Sequence, residues 1–370
     1  MLKNMKCVAT DFSPVGSEWG SERLGAAGIE FCAFQLRGGS PALLLRHIAD
    51  ADVVIVDQAQ ISAEVISGLT NCALIIRNGD GYDNVDVDAA STRGIVCINK
   101  PGFWSREVAE QTLALTLSLL RNLPRQQEAA RSPLINAGWD VSLPIAQKRL
   151  SDLTAGIIGF GRIGAQAAEL FSAVFARVLV YSPSLSPVPA SANATQKSAP
   201  PASANAASAD AVLSNAGRRL PWNSISVSLD ELRAESDVVS LHLPASGSSI
   251  GMVSADFFAG MKRGACLINT ARGSLVNTDA LLAALRSGQL GGAALDVTSP
   301  EPLPAGHPLL GMSNVIVVPH MAWYSETSLR NMRVSIMDDV LALAQGRLPA
   351  GILNPQVLHS AQFRLGGNIS

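Results

Sequence analysis

The chain has 370 residues, which is too long for one ordinary domain of about 150 residues, so we expect two or three domains. Hydrophobic residues make up 48% and charged residues 16% of the chain, a composition that supports large buried cores and excludes a chain that is disordered overall. With 28 Lys and Arg against 30 Asp and Glu, the net charge of −2 argues against a nucleic-acid-binding protein that gains its affinity by neutralising phosphates.

No run of about 18 apolar residues predicts a membrane span, and the N-terminal residues lack the apolar segment of a secretion signal. The five cysteines are scattered and contain no C-x-x-C pair: Cys7, Cys32, Cys72, Cys97 and Cys266. This pattern predicts buried, reduced thiols in a cytoplasmic protein, with neither disulfides nor a zinc site.

Strands alternate with helices over the first hundred residues, a pattern typical of a parallel sheet. Short apolar runs predict strands at Lys6–Thr10, Asp52–Asp57, Ala73–Ile76 and Ile95–Ile98. Helix-like segments lie between them at Pro41–Ile48, Ser62–Leu69 and Val87–Thr92. Because each strand–helix unit is short, this region predicts a small sheet domain.

The clearest helix is predicted at Ser105–Arg121, between the first strand–helix series and a second one. Ser105 is a candidate N-cap, Glu107 falls in the first turn, and Pro124 lies just beyond the end. Its position suits a connection between two domains.

The second series of strands and helices begins at Thr154. Strands are predicted at Ala155–Ile158, Arg177–Tyr181, Asp237–His242, Ala265–Asn269, Gly292–Asp296 and Val315–Val318. Helices are predicted at Ala165–Ala176, Leu229–Glu235, Ser254–Gly260, Asp279–Ser287 and Glu326–Gln345.

One segment interrupts the second series. Of the 25 residues in Ser186–Asp210, 20 are Ala, Ser, Pro or Asn, which leaves few large side chains to bury and offset the entropy of ordering. Residues 184–221 are therefore predicted to form a flexible surface insertion with no chemistry of its own.

A G-x-G-x-x-G motif runs from Gly159 to Gly164, after a predicted strand and at the start of a helix. In this setting the motif predicts a dinucleotide-binding loop. Gly159 permits a tight turn, Gly161 lets the backbone approach a pyrophosphate, and Gly164 lets the helix pack closely on the strand. The helix N-terminus offers N–H groups and a positive dipole end to the anion.

The strand after this loop ends at Ser182, where NAD-binding proteins usually carry an acidic residue that binds the ribose. Ser182 can still hydrogen-bond a ribose hydroxyl. Without a carboxylate, nothing at this position repels a 2′-phosphate, so NADP stays open. No Arg follows immediately to bind that phosphate, since Arg218 and Arg219 lie at the far end of the insertion, and we therefore favour NAD as the cofactor.

Arg272, Glu301 and His320 each follow a predicted strand end, and the carboxyl ends of parallel strands share one edge of the sheet. His320 suits the role of a base for the hydroxyl proton of a 2-hydroxy acid, because histidine exchanges protons near neutral pH. A neighbouring Glu301 would orient the imidazole and stabilise its positive charge. Arg272 is permanently charged and forked, so it can hold a substrate carboxylate and polarise the carbonyl oxygen.

Each of these three residues has a plain structural alternative. A histidine is more often an ordinary surface or core residue, and we expect this of several among His47, His242, His307 and His359. Glu301 could be a solvated loop charge, and Arg272 could serve only an ion pair. Their shared position behind a dinucleotide loop favours the catalytic interpretation.

The chain resembles the D-isomer-specific 2-hydroxyacid dehydrogenase family, and within it the C-terminal binding protein branch. The resemblance rests on Arg77–Asp86, Val108–Thr112, the glycine loop, Asn269–Val276, Ala294–Val297 and Pro319–Glu326. It covers roughly Asp52 to Pro355, apart from the insertion.

This resemblance implies a two-domain α/β fold and a homodimer. A central Rossmann-type doubly wound parallel sheet would span residues 105–324. A smaller flavodoxin-like α/β substrate domain would be built from both chain ends, residues 1–104 and 325–370.

By motif, Arg272, Glu301 and His320 fall on the catalytic positions of the family. The positions implied to contact the cofactor, besides the glycine loop and Ser182, are Thr112, Arg162, Ile163, Thr270, Ala271 and Asp296. Trp323 resembles a tryptophan that shapes the substrate pocket in the branch.

Gly79, Asp80 and Gly81 fall where the family binds the substrate carboxylate through backbone N–H groups. They are candidate substrate-binding residues together with Arg272 and Trp323. Asp80 stands where the family often has an apolar residue. A carboxylate that faces the substrate would repel an acid, whereas one that faces away would change nothing.

Two functions follow from these observations. The first is an NAD(P)-dependent oxidoreductase that interconverts 2-keto acids and D-2-hydroxy acids through a His/Glu/Arg relay. The second is a dinucleotide-gated corepressor-like interaction protein with little turnover; no peptide groove is evident in the first fifty residues, and no basic nuclear-localisation run is present. Related amino-acid or formate chemistry on the same scaffold is a weaker third possibility. For formate oxidation, the reason is that the branch which performs it has Gln in place of Glu301.

Overall fold

The computed structural model describes residues 5–12, 18–131, 147–186 and 220–364. By compactness the chain divides into a first unit, Met1–Trp104 with Ser325–Ser370, and a second unit, Ser105–Tyr324. Each unit holds one sheet, and every strand pair in both sheets is parallel. The predicted α/β class with two parallel sheets is confirmed.

The strands are β1 (Lys6–Ala9), β2 (Glu30–Ala33), β3 (Val53–Val56), β4 (Leu74–Arg77), β5 (Val96–Asn99), β6 (Thr154–Ile158), β7 (Arg177–Tyr181), β8 (Ser224–Ser226), β9 (Val238–Leu241), β10 (Ala265–Asn269), β11 (Leu290–Leu295) and β12 (Val315–Val317). The helices are α1 (Glu18–Gly25), α2 (Pro41–Ile48), α3 (Ala63–Ser67), α4 (Val87–Thr92), α5 (Ser105–Leu120), α6 (Leu123–Ala130), α7 (Arg162–Ser172), α8 (Leu229–Glu235), α9 (Ala255–Ala259), α10 (Thr278–Arg286) and α11 (Glu326–Ala344).

The sheet of the first unit has the strand order β2-β1-β3-β4-β5, which is the flavodoxin-like order. Its central strand β3 is entirely apolar and buried, as expected for a parallel strand covered on both faces. Helices α2 and α3 begin at serine caps, where Ser40 and Ser62 accept hydrogen bonds from backbone N–H groups of their first turns.

The C-terminal segment completes this first unit. Helix α11 packs against α1, and Asn354 is fully buried beside β5. The Asn354 side chain accepts a hydrogen bond from Cys97 N and donates one to Ile95 O, each at 2.9 Å. These bonds join the two ends of the chain in one unit.

The sheet of the second unit has the order β12-β11-β10-β9-β6-β7-β8. The strand order reverses between β6 and β9, which makes this pair the topological switch point of a doubly wound sheet. Alternate residues of β6 enter different apolar clusters: Ala155 and Ile157 belong to one, and Ile158 to the other. Both faces of this sheet are therefore covered.

The structure contains four elements that the sequence pattern did not predict: α1, β2, α6 and β8. Each has a weak apolar signal. Strand β2 is an edge strand with no fully buried residue, helix α6 buries no residue, and β8 is a Ser-Ile-Ser edge strand whose serines are buried. Their formation depends on pairing and packing with the rest of the chain.

Two predictions about helix starts were wrong. Ser105 is the first residue of α5 and not its cap, and its buried hydroxyl has no hydrogen-bond partner in the described part of the chain. Helix α7 begins at Arg162, three residues before the predicted Ala165, because the glycine loop leads directly into it.

Most of the predicted insertion, residues 187–219, lies outside the described residues. Its two ends are packed: Leu185 is buried, and Leu220 contacts the same apolar cluster. All five cysteines are free thiols; four are buried and Cys32 is half-buried. No helix within the described ranges combines the length and the apolar character needed to cross a membrane.

Candidate active site

The glycine loop connects β6 to α7 at the switch point of the second sheet. Gly159 has a φ of +99°, and a Cβ added there would lie 2.5 Å from His242 O. A Cβ at Gly164 would lie 2.0 Å from Gly159 O. These two positions require glycine for close packing within the protein.

The middle glycine of the loop differs from the other two. A Cβ added at Gly161 would meet no atom within 4 Å, so the space above this residue is open. Gly161 is the N-cap of α7 and supplies no side-chain hydrogen bond to the helix. Open space beside an uncapped helix N-terminus fits the pyrophosphate of a dinucleotide.

Strand β7 lies beside β6 and ends next to the loop, where Gly159 N donates to Tyr181 O. Ser182 follows this strand, is buried, and its Oγ lies 3.0 Å from Ser184 Oγ. The position predicted to face the ribose thus carries two hydroxyl groups. Arg162 and Ile163, the other predicted contacts in this region, form the first turn of α7.

Thr112 and Thr270 form a buried pair of hydroxyl groups 2.8 Å apart. Thr112 Oγ1 donates its proton to Val108 O at 2.7 Å, so Thr270 is the donor within the pair. Thr112 has no exposed surface. Thr112 therefore supports Thr270, and only Thr270 can present a hydroxyl toward a ligand.

His320 follows β12 and occupies a left-handed backbone conformation with a φ of +55°. Its backbone N–H donates to Asp296 O at 2.9 Å. Trp323 Nε1 donates to His320 O at 2.9 Å. A non-glycine residue in this conformation persists only where its surroundings fix it, so these contacts explain how the turn is held.

Glu301 lies directly against the imidazole of His320. His320 Nδ1 and Glu301 Oε1 are 2.6 Å apart, and each side chain is about one-third exposed. The second carboxylate oxygen of Glu301 accepts a hydrogen bond from Thr298 N at 3.3 Å. An ionised carboxylate can only accept a hydrogen bond, so the proton between Glu301 and His320 belongs to Nδ1. The other ring nitrogen, Nε2, is then available to exchange a proton with a reacting group.

Asp296 holds the segment that follows His320. Its carboxylate is buried and accepts hydrogen bonds from Met321 N at 2.8 Å and Ala322 N at 3.1 Å. Burial raises the pKa of the Asp296 carboxyl above its usual range, while these backbone N–H groups and His320 act in the opposite direction. In this structure the carboxylate predicted to contact the cofactor stabilises the histidine turn.

Arg272 follows β10, and a buried asparagine fixes the turn that carries it. Asn269 Nδ2 donates to Arg272 O at 2.8 Å, and Asn269 Oδ1 accepts from Ala271 N at 3.1 Å. The half-buried Arg272 side chain donates from Nη1 to Ala271 O at 2.8 Å.

The three predicted catalytic residues thus follow three neighbouring strands, β10, β11 and β12. Because these strands are parallel, their carboxyl ends lie at the same edge of the sheet, which is also the edge of the glycine loop. Of the three, the structure brings His320 and Glu301 into contact.

The predicted substrate loop, Gly79 to Gly81, belongs to the first unit and follows β4. Asp80 Oδ1 accepts a hydrogen bond from Gly102 N at 2.8 Å. The Asp80 carboxylate is therefore attached to the loop that follows β5.

The sequence patterns predicted no role at the site for two residues of the second sheet, His242 and Asn269. His242 lies against the glycine loop, with its Nε2 2.9 Å from Ser240 Oγ, and burial lowers its pKa to about 4. Asn269 positions the arginine turn. Their positions at the ends of β9 and β10, next to the switch point, could have identified them as site residues.

Comparisons with known proteins show the family to which the chain belongs. Residues 113–219 and 221–322 match the family model described as "D-isomer specific 2-hydroxyacid dehydrogenase, NAD binding domain". The matched residues make up more than half of the chain. The chain belongs to the D-isomer specific 2-hydroxyacid dehydrogenase family.

Relatives within the 2-hydroxyacid dehydrogenase family include enzymes with different names. A glyoxylate reductase from Thermofilum pendens is 30% identical over 85% of this chain and 85% of its own length. A D-3-phosphoglycerate dehydrogenase from Archaeoglobus fulgidus is 31% identical over 88% of this chain but 56% of its own length. The chain thus spans little more than half of the phosphoglycerate dehydrogenase.

A solved structure shows the same fold. The D-lactate dehydrogenase from Aquifex aeolicus, complexed with NAD and lactic acid, has a TM-score of 0.73 and 26% identity, covering 92% of this chain and 96% of its own. The family resemblance is confirmed, whereas the C-terminal binding protein branch is not, and the comparisons do not support the corepressor-like alternative.

Proposed function

We propose that the chain is an NAD(P)-dependent D-2-hydroxyacid dehydrogenase that interconverts 2-keto acids and D-2-hydroxy acids. The observation that carries this proposal is the 2.6 Å contact between His320 Nδ1 and Glu301 Oε1, at the same sheet edge as the glycine loop. An imidazole oriented by a carboxylate is well suited to proton transfer to a carbonyl oxygen.

In this proposal, His320 exchanges the proton through Nε2. During reduction, protonated His320 gives the Nε2 proton to the carbonyl oxygen of the 2-keto acid, and during oxidation it takes the hydroxyl proton back. Glu301 keeps Nδ1 protonated throughout and stabilises the charged ring. The left-handed turn, held by Asp296 and Trp323, fixes the direction in which the ring points.

Arg272 binds the substrate. Its guanidinium is charged at any pH of interest and can hold a carboxylate and polarise the neighbouring carbonyl oxygen. In the first unit, Gly79, Asp80 and Gly81 contribute the loop that receives the substrate carboxylate, and Trp323 contributes to the substrate pocket.

The residues at the switch point fit a nicotinamide dinucleotide. The open space at Gly161 and the uncapped start of α7 would receive the pyrophosphate, Ser182 the ribose, and Thr270 and Ala271 the nicotinamide side. A dinucleotide held there would supply the hydride that substrate C2 gains in reduction, or take up the hydride that C2 loses in oxidation. Ser182 in place of an acid leaves both NAD and NADP as candidates, and the homodimer and the cytoplasmic location stay predictions.

The test is a titration with NADH and NADPH, followed by a panel of glyoxylate, pyruvate, hydroxypyruvate and longer 2-keto acids, monitored through loss of nicotinamide absorbance. The protein is expected to turn over at least one of these acids. Replacing His320 with Gln should lower kcat by about 10²–10⁴-fold, because it removes the proton donor.

The same variant should bind the dinucleotide within about twofold of the parent, since His320 acts on the substrate. His359→Gln, at an exposed histidine of the first unit, is the matched control and should keep full turnover. Full turnover by His320→Gln would refute the assignment, as would a parent that binds dinucleotide but reduces none of the acids.

A further inference from the structure

An open cavity of about 660 Å³ lies in the second unit, away from the glycine loop. Residues 147–151, which lead into β6, form one part of its wall, and Ala173 and Val174, which follow α7, form another. Arg121, the residue after α5, completes the wall. The cavity therefore borders the amino ends of β6 and β7, whereas the glycine loop follows the carboxyl end of β6. The length of β6 separates the two places by about 17 Å.

Three cations line this cavity: Arg121, Lys148 and Arg149. No carboxylate lines it within the described ranges. Lys148 Nζ lies 3.6 Å from Asp237 Oδ1, and Lys262 Nζ lies 3.2 Å from the second oxygen of the same carboxylate. Because one carboxylate is shared by two ammonium groups, it offsets only part of their charge. The cavity thus carries an excess of positive charge.

The two arginines of the cavity, Arg121 and Arg149, are exposed, and neither forms an ion pair with a carboxylate in the part of the chain that the structure describes. Asp152, which follows the lining segment, is exposed and is not part of the wall. The four cations named here exceed Asp152 and Asp237 by two charges. A guanidinium binds phosphate oxygens through parallel N–H bonds, and two excess positive charges suit the dianion of a phosphate monoester.

The rest of the wall combines polar and apolar side chains. Gln147 Nε2 donates to Arg121 O at 3.1 Å, which attaches the lining segment to the end of α5. Ser151 adds an exposed hydroxyl group. Leu150 and Val174 pack against the apolar cluster of the sheet and stay half-buried, so part of their surface is open to a ligand. The volume falls in the range of small-molecule sites and exceeds what a phosphate ion alone would fill.

We propose that this cavity is a second binding site of the chain, which takes a small organic phosphate monoester. Arg121 and Arg149 bind the phosphate, and Lys148 adds a third positive charge. The organic part of the ligand lies against Leu150 and Val174. This site is independent of the proposed function, because none of its residues belongs to the glycine loop or to the catalytic edge of the sheet.

Phenyl phosphate is a suitable probe, because it joins a phosphate dianion to an apolar ring. Calorimetric titration of the parent at pH 7.5 should give a Kd of about 1 mM or lower. Inorganic phosphate, which lacks the ring, should bind at least about tenfold more weakly, and phenol, which lacks the charge, should bind more weakly still. Added salt should weaken the binding of phenyl phosphate, since the arginines are exposed.

Arg121→Gln and Arg149→Gln should each weaken the binding of phenyl phosphate by about tenfold. Arg286→Gln is the matched control, because it removes one exposed guanidinium from the same unit, in the last turn of α10, and it should leave the Kd within about twofold of the parent value. Arg162→Gln, beside the glycine loop, should also stay within about twofold, which separates the cavity from binding at the loop. Chemical denaturation of each variant controls for a folding defect.

A parent that does not bind phenyl phosphate at about 10 mM would overturn the inference. So would equal affinity for inorganic phosphate, or a loss of binding in Arg162→Gln alone. Arg121 follows the C-terminus of α5, where a positive side chain also stabilises the helix dipole. Variants at Arg121 and Arg149 that lose stability but keep the parental affinity would assign the arginines to such a structural role and contradict the proposed site.

Discussion

The glycine loop and the histidine turn lie at the same edge of one sheet, yet they are built in opposite ways. The loop from Gly159 to Gly164 depends on missing side chains, since two of its glycines would clash with backbone atoms if they carried a Cβ. The turn at His320 depends on side chains, with Glu301, Asp296 and Trp323 bound around it.

The difference reflects the chemistry proposed for each region. Binding a pyrophosphate needs backbone N–H groups and space, whereas moving a proton needs titratable side chains in fixed orientations. Substitutions in the loop should therefore act on dinucleotide affinity and stability. Substitutions in the turn should act on turnover.

The largest effect on the loop is expected from Gly164→Ala. Its new Cβ would lie 2.0 Å from Gly159 O, so helix α7 and the loop would have to separate, at a cost of about 3 kcal/mol in the free energy of unfolding. Chemical denaturation measures this loss, and dinucleotide titration should show weakened binding.

Gly161→Ala is the matched control for the loop, because its Cβ would meet no protein atom within 4 Å. It should leave the free energy of unfolding nearly unchanged and weaken only dinucleotide binding. If both alanine variants were equally unstable, the distinction between a packing glycine and a ligand-facing glycine would be wrong.

A smaller effect on the free energy of unfolding is expected from the protonation of His242, which lies beside the glycine loop. Burial lowers the pKa of His242 from 6.5 to about 4, so between these values the unfolded chain binds a proton that the folded chain does not. The free energy of unfolding should therefore fall as pH drops from 6.5 to 4. The full difference between the two pKa values corresponds to about 3 kcal/mol in the free energy of unfolding. We expect a loss of roughly 2 kcal/mol, because part of the His242 side chain is accessible to solvent.

Denaturation of the parent and of His242→Asn at pH 7.5, 6 and 5 measures this contribution. The asparagine does not titrate, so the variant should lose less stability than the parent on acidification. Parallel losses in the two proteins would show that other groups cause the pH dependence.

The sequence predicted the class of fold and most elements of both sheets, because buried parallel strands such as Val53–Val56 are continuous apolar runs. Leu229–Glu235 and Arg177–Tyr181 have the predicted bounds. The edge strand Ser224–Ser226 could not be predicted, since pairing with β7 and not its own composition makes it a strand.

The candidate site shows a similar limit. Residue type and spacing pointed to Arg272, Glu301 and His320, because few side chains suit proton transfer and carboxylate binding. The supporting hydrogen bonds could not be predicted from residue type, since Asn269 and Asp296 bind backbone N–H and C=O groups, which other residues carry as well. The direction of the Asp80 carboxylate, left open by the sequence, depends on Gly102, 22 residues further along the chain.

The central claim is that Glu301 acts through His320, and a double-mutant cycle on kcat tests it most directly. Glu301→Gln should lower kcat by about 10–100-fold, and the double variant with His320→Gln should be no slower than His320→Gln alone. That result would show the two side chains working as one unit. The account would be contradicted if the fold-losses in kcat of the two single variants multiplied in the double variant. It would also be contradicted if Glu301→Gln left kcat unchanged.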